Sequence, residues 1–235
     1  MKIQNALYLI PVPLGGSIEN SIPNENLKII KEIRFFFVES RREAVRFLVS
    51  SGVNVDECSF FELSEHTKEN ADLSPFLLKI KDGNAVGVIS DAGCPAVGDP
   101  GNRAVEEAHK LGFRVIPLVG PSSMILSLMA SGLNGQNFTF LGYLPIKTGE
   151  RASFLRKIES RAINENQTQL FIEAPYRNAK LFDAILKTCR AETRLCVACG
   201  LTSEREFVRT LSIAEWKKSP IPPFEKIPTM FLLGK

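Results

Sequence analysis

The chain has 235 residues, of which 44% are hydrophobic and 23% charged, with a formal net charge of +3. This is ordinary globular composition and enough chain for one large or two small domains. Five scattered cysteines exclude a disulfide scaffold, and the mild basicity permits an anionic partner without demanding one, because surface fields follow clustering rather than the sum.

The apolar stretches are strand-sized and broken by charge, Gly or Pro, and none nears the roughly 20 apolar residues of a membrane-spanning helix. The opening run MKIQNALYLIPVPLGG is too short and too proline-bounded for a signal peptide, so the expectation is a cytoplasmic protein with no membrane partner. From there the pattern alternates strand and helix almost to the end. Strands are predicted over 6–12, 35–38, 60–63, 85–89 and 114–119. Helices are predicted from about Ser21, with Pro23 in the first turn, over 43–49, from a Ser74-Pro75 cap to Gly83, and over 102–111. After Gly120-Pro121-Ser122-Ser123 an apolar helix runs to Ser131, and a second set follows. It comprises strands over 138–144, 170–174, 195–199, 206–210 and 229–233, with helices over 150–160 and 178–189. Repeated βα units predict an α/β fold of two domains, 1–118 and 119–235.

Four loops at strand ends have unusual composition. They are IPVPLGG (10–16), SDAGCPAVGDPG (90–101), GPSS (120–123) and IEAPYR (172–177). Ligands of open α/β sheets bind beyond the carboxyl ends of the strands. Prolines stiffen these loops, and glycines let a ligand approach the backbone. A purely structural reading stays open for Asp99, as a cap of the next helix. The chain lacks GxGxxG, GxxxxGK[ST] and GxSxG, which disfavours dinucleotide, P-loop and hydrolase sites. Cys196 and Cys199 form a CxxC inside the strand-like RLCVACGL. With no second pair and only His66 and His109 elsewhere, core thiols are expected there, and no metal.

Together these loops resemble the tetrapyrrole-methylase superfamily of S-adenosylmethionine-dependent methyltransferases, within it the branch that methylates ribose 2′-hydroxyls of small-subunit ribosomal RNA. A Pro-x-Pro-x-Gly loop is matched at 11–15 and a Ser-Asp-Ala-Gly-x-Pro…Asp-Pro-Gly loop at 90–101. A Pro-Gly-Pro-Ser-Ala start is matched at 119–123, with Val119 and Ser123 replacing its ends. Phe-x-Phe-x-Gly-Phe-Leu-Pro-x-Lys is matched at 138–147 with Tyr143 for one Phe. Tyr-Glu-x-Pro-His-Arg is matched at 172–177, with Ile172 in the first position and Tyr176 in the His position. The chain departs at Gly15-Gly16-Ser17, at Glu39-Ser40-Arg41-Arg42 where the branch has Glu-Asp-Thr-Arg, and at Cys199–Ser203 where it has Arg-Glu-Leu-Thr-Lys.

The resemblance implies two α/β domains with S-adenosylmethionine in the cleft between them, and usually a homodimer. Pro11, Pro13, Gly15, Asp91, Ala92, Gly93, Asp99, Ser122 and Ser123 would shape the cofactor site from the first domain. Leu144, Ala174, Pro228, Thr229 and Met230 would do so from the second. A ribose hydroxyl must lose its proton within hydrogen-bond reach, which makes Glu39 and Glu173 candidates for base or orienter. Anchoring a loop or pairing a nearby arginine is the alternative for each. Arg41, Arg42, Arg46, Lys147, Arg151, Arg156, Lys157 and Arg177 are the candidate contacts to ribosomal RNA or the small ribosomal subunit. The basic run over 147–161 reads equally as a solvated helix face, since Glu150 and Glu159 interrupt it. Two other functions stay open: methylation of a corrin or porphyrin precursor, and a cofactor-binding module without catalysis.

Overall fold

All four residues of Val86–Ile89 are buried, the pattern of a parallel strand with helices on both faces. In the computed structural model, which describes residues 3–235, this run is β4, the middle strand of the first sheet. Its companions are β1 (Leu7–Ile10), β2 (Phe35–Val38), β3 (Ser59–Glu62) and β5 (Val115–Pro117), in the order β3-β2-β4-β1-β5 and all parallel. Alternation sorts the side chains. Ile10 and Phe36 join one core with Ile30 and Leu48, while Leu7, Phe37 and Val88 join another with Leu77. At Gly87 a Cβ would lie 2.7 Å from both Ile10 Cδ1 and Phe36 Cδ1, so glycine lets these two side chains close over the strand.

Helices α1 (Ile18–Ser21), α2 (Asn24–Ile30), α3 (Arg41–Ser50), α4 (Ser74–Leu77) and α5 (Asn102–Lys110) connect these strands. The single helix expected from about Ser21 is divided. Pro23 is the N-cap of α2 rather than part of a continuing turn, since its ring fixes φ and removes an N–H. Leu73, not Ser74, caps α4, and the helix passes into a 3₁₀ turn at Leu78–Ile80. This first unit ends at Ser122. Residues 119–122 belong with it because Asn26 Nδ2 donates to Val119 O at 2.7 Å and Gly120 packs on Pro11.

The second unit, Ser123–Lys235, begins with α6 (Ser123–Ser131). It continues with β6 (Phe138–Tyr143), α7 (Thr148–Asn164), β7 (Thr168–Glu173), α8 (Asn178–Thr188), β8 (Arg194–Cys199), β9 (Phe207–Ser212), α9 (Ile213–Trp216) and β10 (Thr229–Gly234). The sheet order is β6-β7-β10-β8-β9; β6 and β7 are parallel and the other neighbours antiparallel. Phe171, Phe182, Trp216, Phe224 and Phe231 fill the core, with Phe171 and Phe231 stacked at 5.9 Å. Helix α9 was not foreseen; a Ser212–Glu215 capping box starts it, and Trp216 Nε1 donates to Leu195 O at 2.8 Å. Cys196 and Cys199 are buried in β8, and their odd spacing points them to opposite faces of the sheet, so they cannot share an ion.

Fully buried Asn178 ties the loop before β10 to α8. Its Nδ2 lies 3.2 Å from Phe224 O, 2.9 Å from Ile227 O and 3.0 Å from Thr229 Oγ1. Asn178→Ala removes all three bonds, leaving Phe224 O and Ile227 O only their bonds from Ile227 N and Thr229 Oγ1, and should lower unfolding free energy by about 1–3 kcal/mol in urea denaturation. An unchanged midpoint would show that the loop is held by packing alone.

Candidate active site

Strand β1 sends the chain towards β2 on one side, whereas β4 sends it to β5 on the other. Since β1 and β4 are neighbours, their outgoing loops diverge at one point, where an open parallel sheet leaves a crevice for a ligand. Two backbone bonds join these loops, Val12 N to Gly93 O at 3.0 Å and Gly93 N to Val12 O at 3.1 Å. Gly93 has φ +73°, and a Cβ there would meet Leu14 Cδ2 at 3.0 Å. The loop after β5 is locked in as well. A Cβ on Gly120 would fall 2.2 Å from Pro11 Cβ, and Cys94 Sγ donates to Pro121 O at 3.3 Å. Three of the four predicted loops therefore form one rigid edge.

Carboxylates gather on that edge. Glu39, just past β2, accepts from Asp91 N through Oε2 at 3.0 Å. Burial raises its pKa above the ordinary value, and the negative charges of Asp91, Asp99 and Glu65 add to this against the Asp91 N–H bond. Asp91 is exposed as a residue, yet partial desolvation of its carboxyl raises its pKa too, with Glu43 and Asp99 reinforcing and a Ser40 backbone bond and Arg42 opposing. Asp99 is spent on its own loop, where Oδ1 accepts from Ala96 N at 3.0 Å and Gly101 N at 2.7 Å. It caps the turn, not the helix; Gly101 is the N-cap of α5.

A cavity of about 200 Å³ opens beside Asp91, walled by Val12, Pro13, Ile18 and Phe47, with Glu43 and Arg46 at its polar side. Glu43 and Phe47 were not singled out from the sequence. Their helical i, i+4 spacing on α3, directly after the Glu39 loop, was the available signal. Arg41 and Arg42 are exposed at the start of α3, Arg41 over the Phe60 ring at 5.5 Å and Arg42 paired to Glu43 at 2.9 Å. Pro11 is buried, Gly15 and Ala92 are exposed, and Ser122 is half-buried at the end of the unit.

Within the second unit, one edge of the sheet carries the ends of β6, β7 and β8 and the start of β10. Leu144, Ala174 and Pro228 to Met230 all lie there, and Ser123 opens α6. The side chains of Leu144, Thr229 and Met230 are buried, so a ligand could meet these residues mainly through backbone. Glu173 is an anchor. Its Oε1 accepts from Ala174 N at 2.8 Å, from Arg177 Nε at 2.8 Å and from Arg177 Nη2 at 2.7 Å. That geometry matches the loop-anchoring alternative through Oε1, while Oε2 is buried without a hydrogen-bond partner among the described residues. Arg177 is likewise committed to Glu173 and to the Tyr176 hydroxyl at 2.6 Å. Arg151 is corrected as a substrate contact: it is buried, and Nε and Nη2 donate to Pro145 O and Ile146 O at 2.8 Å each. Lys147 is exposed and loosely paired to Glu150 at 3.4 Å.

The chain is 31% identical over 209 residues to a protein of Pseudomonas aeruginosa named ribosomal RNA small subunit methyltransferase I, covering 89% of this chain and 71% of that one. Proteins of the same name from Escherichia coli O157:H7 and Mesorhizobium japonicum are 29% and 31% identical, over 90% and 88% of this chain and 71% and 67% of their own. No family model matches the chain. Among solved structures, uroporphyrin-III-C-methyltransferase of Thermus thermophilus superposes with a TM-score of 0.56 over 99% of this chain and 95% of that one, at 15% identity. At that identity the likeness carries the fold alone.

Because the folded state raises the pKa of Glu39, it binds the proton more tightly than the unfolded chain. The charged carboxylate thus costs stability above the folded pKa, and this cost vanishes below the ordinary value of 4.5. Glu39→Gln keeps an acceptor for Asp91 N–H and should unfold at an equal or higher temperature at pH 7, with any gain gone at pH 4. A lower melting temperature at pH 7 would mean that the charge itself holds the loop.

Proposed function

The chain belongs to the family of small-subunit ribosomal RNA methyltransferase I, and from that premise we propose that it transfers a methyl group from S-adenosylmethionine to a ribose 2′-hydroxyl of small-subunit ribosomal RNA. The observation that carries this reading is the rigid edge where the loops after β1, β4 and β5 meet beside Glu39 and Asp91.

The residues fit the cofactor's chemistry. An apolar wall of Val12, Pro13, Ile18 and Phe47 suits a heterocycle, and Asp91 beside it can accept from a hydroxyl or an ammonium group. Pro11, Gly15, Ala92, Gly93 and Ser122 would present backbone at close range, with Asp99 holding their loop in shape. In the second unit Leu144, Ala174, Pro228, Thr229 and Met230 would contribute backbone from their shared sheet edge, and Ser123 from the start of α6. When bound, S-adenosylmethionine supplies an electrophilic methyl group on a sulfonium.

Positioning accounts for much of the rate in such an in-line displacement, and the chain's remaining task is the hydroxyl proton. Glu39 would take it at its carboxylate, whose raised pKa makes it a stronger base than an ordinary glutamate. Exposed Arg41, Arg42 and Lys147 would contact phosphates, giving affinity that weakens with salt. In this reading the protein acts in the cytoplasm as a homodimer, with exposed Ile125 and Met129 of α6 as apolar surface for a second copy. No described helix is long and apolar enough to cross a membrane. Corrin or porphyrin methylation draws no support from the structural likeness, which extends to fold only.

The test is transfer of labelled methyl to small ribosomal subunits purified from cells lacking this protein. Label should appear in the RNA, and Asp91→Ala should abolish it. Glu39→Gln should lower kcat/KM by roughly 10²–10⁴-fold. Since Glu39 must be ionised, kcat/KM should fall on acidification through a pKa above 4.5. Calorimetric binding of the cofactor without label in RNA would redirect the reading to a binding module or another acceptor.

A further inference from the structure

Tyr176 stands out in the second unit because a large aromatic ring is 74% exposed and yet held firmly. The hold comes from a chain of bonds inside one loop. Buried Glu173 fixes the Arg177 guanidinium, whose carbon lies over the tyrosine ring at 4.9 Å and whose Nη1 donates to the tyrosine hydroxyl at 2.6 Å. One face of the ring is thus covered by a cation, and the ring loses little rotamer freedom when something stacks on it. The main chain here is a 3₁₀ turn, Pro175–Arg177, followed directly by α8, which restricts it further.

This ring borders a groove of about 540 Å³, with much of the other lining from the Ile221–Lys226 segment. Asn178 holds that Pro-rich segment to α8 through the carbonyls of Phe224 and Ile227, so both sides of the groove are anchored. Lys226 adopts φ +55°, a conformation that costs a non-glycine residue and persists where its surroundings enforce it. Neither Lys226 nor exposed Lys180, four positions after Tyr176, forms an ion pair among the described residues, against one acidic lining residue, Glu225.

A rigid π-platform, proline and aliphatic walls and unpaired ammonium groups are the ingredients of single-stranded RNA recognition, in which bases stack on aromatics and cations take the backbone. We propose that this groove seats an unpaired nucleobase of the RNA acceptor on Tyr176, with Lys226 and Lys180 contacting its flanking phosphates. The inference rests on the reading of the chain as an RNA methyltransferase. A purely apolar partner would have no use for the two free cations, and a phosphate site alone would have no use for the exposed ring.

The test uses the full chain, with Tyr176→Ala, Tyr176→Phe and Tyr176→Trp compared in two assays. In the first, quenching of 2-aminopurine in single-stranded RNA oligonucleotides reports stacking directly. Tyr176→Ala should weaken binding about tenfold or more and abolish the quench, whereas the Phe and Trp variants, which keep a ring but lose the hydroxyl bond to Arg177, should retain the quench and lose less affinity than Tyr176→Ala. In the second, methyl transfer to unmethylated small subunits should show the loss of Tyr176→Ala in KM rather than kcat. Wild-type chain that binds without quenching, or a Phe variant as impaired as the Ala variant, would overturn the platform. If wild-type chain transfers no methyl to any subunit, the proposed activity fails, and the quenching assay still decides on the nucleobase. Binding of a proline-rich peptide in the groove with no quench by RNA would assign it to a protein partner and overturn the inference.

Discussion

The two backbone bonds between Val12 and Gly93 are the constraint on which the first unit's site depends. Each bond is modest in net stability, but they join loops that leave neighbouring strands in opposite directions. Without the bridge the Pro-rich loop after β1 and the small-residue loop after β4 would be independent surface segments. With it, Gly120 can pack against Pro11 and the loop after β5 closes the third side. Glycine is required at both contacts for different reasons. Gly93 occupies a positive φ, and Gly120 has no room for a Cβ.

That rigid edge explains why carboxylates can be crowded there. Glu39 is desolvated and faces Asp91 and Asp99, an arrangement that favours its neutral form. The fold retains it because Asp91 N–H is aimed at Oε2 and the surrounding backbone is already fixed. In the second unit, Glu173 shows a different arrangement: it is buried where Glu39 is half-buried, and an arginine and a backbone N–H meet one of its oxygens.

Much of this was legible in the residues. Apolar runs bounded by Pro and Gly located the strands, and the four odd loops all fall at strand ends, because small residues and prolines over a dozen positions have little use in packing. What was not legible depends on partners distant in sequence. Arg151 and Lys147 look alike in a basic helix, yet one is buried on the carbonyls of Pro145 and Ile146 and the other is exposed. Glu39 and Glu173 look alike as acids just at or after strand ends, and only the structure shows that Glu173 is paired to Arg177 while Glu39 holds the backbone N–H of Asp91. The helix over α9 was missed because four residues carry too little periodicity, although its Ser-x-x-Glu cap was in plain sight.

The central claim is that the edge formed by the loops after β1, β4 and β5 is where the cofactor meets the first unit. Hydrogen–deuterium exchange with and without saturating S-adenosylmethionine tests it most directly. The account predicts slowed exchange at 11–16, 90–99 and 118–122, with the last turn of α5, at the far end of that helix from the 90–101 loop, little changed. Slowed exchange elsewhere in the unit with these three loops unaffected, under conditions where binding is confirmed by calorimetry, would contradict it.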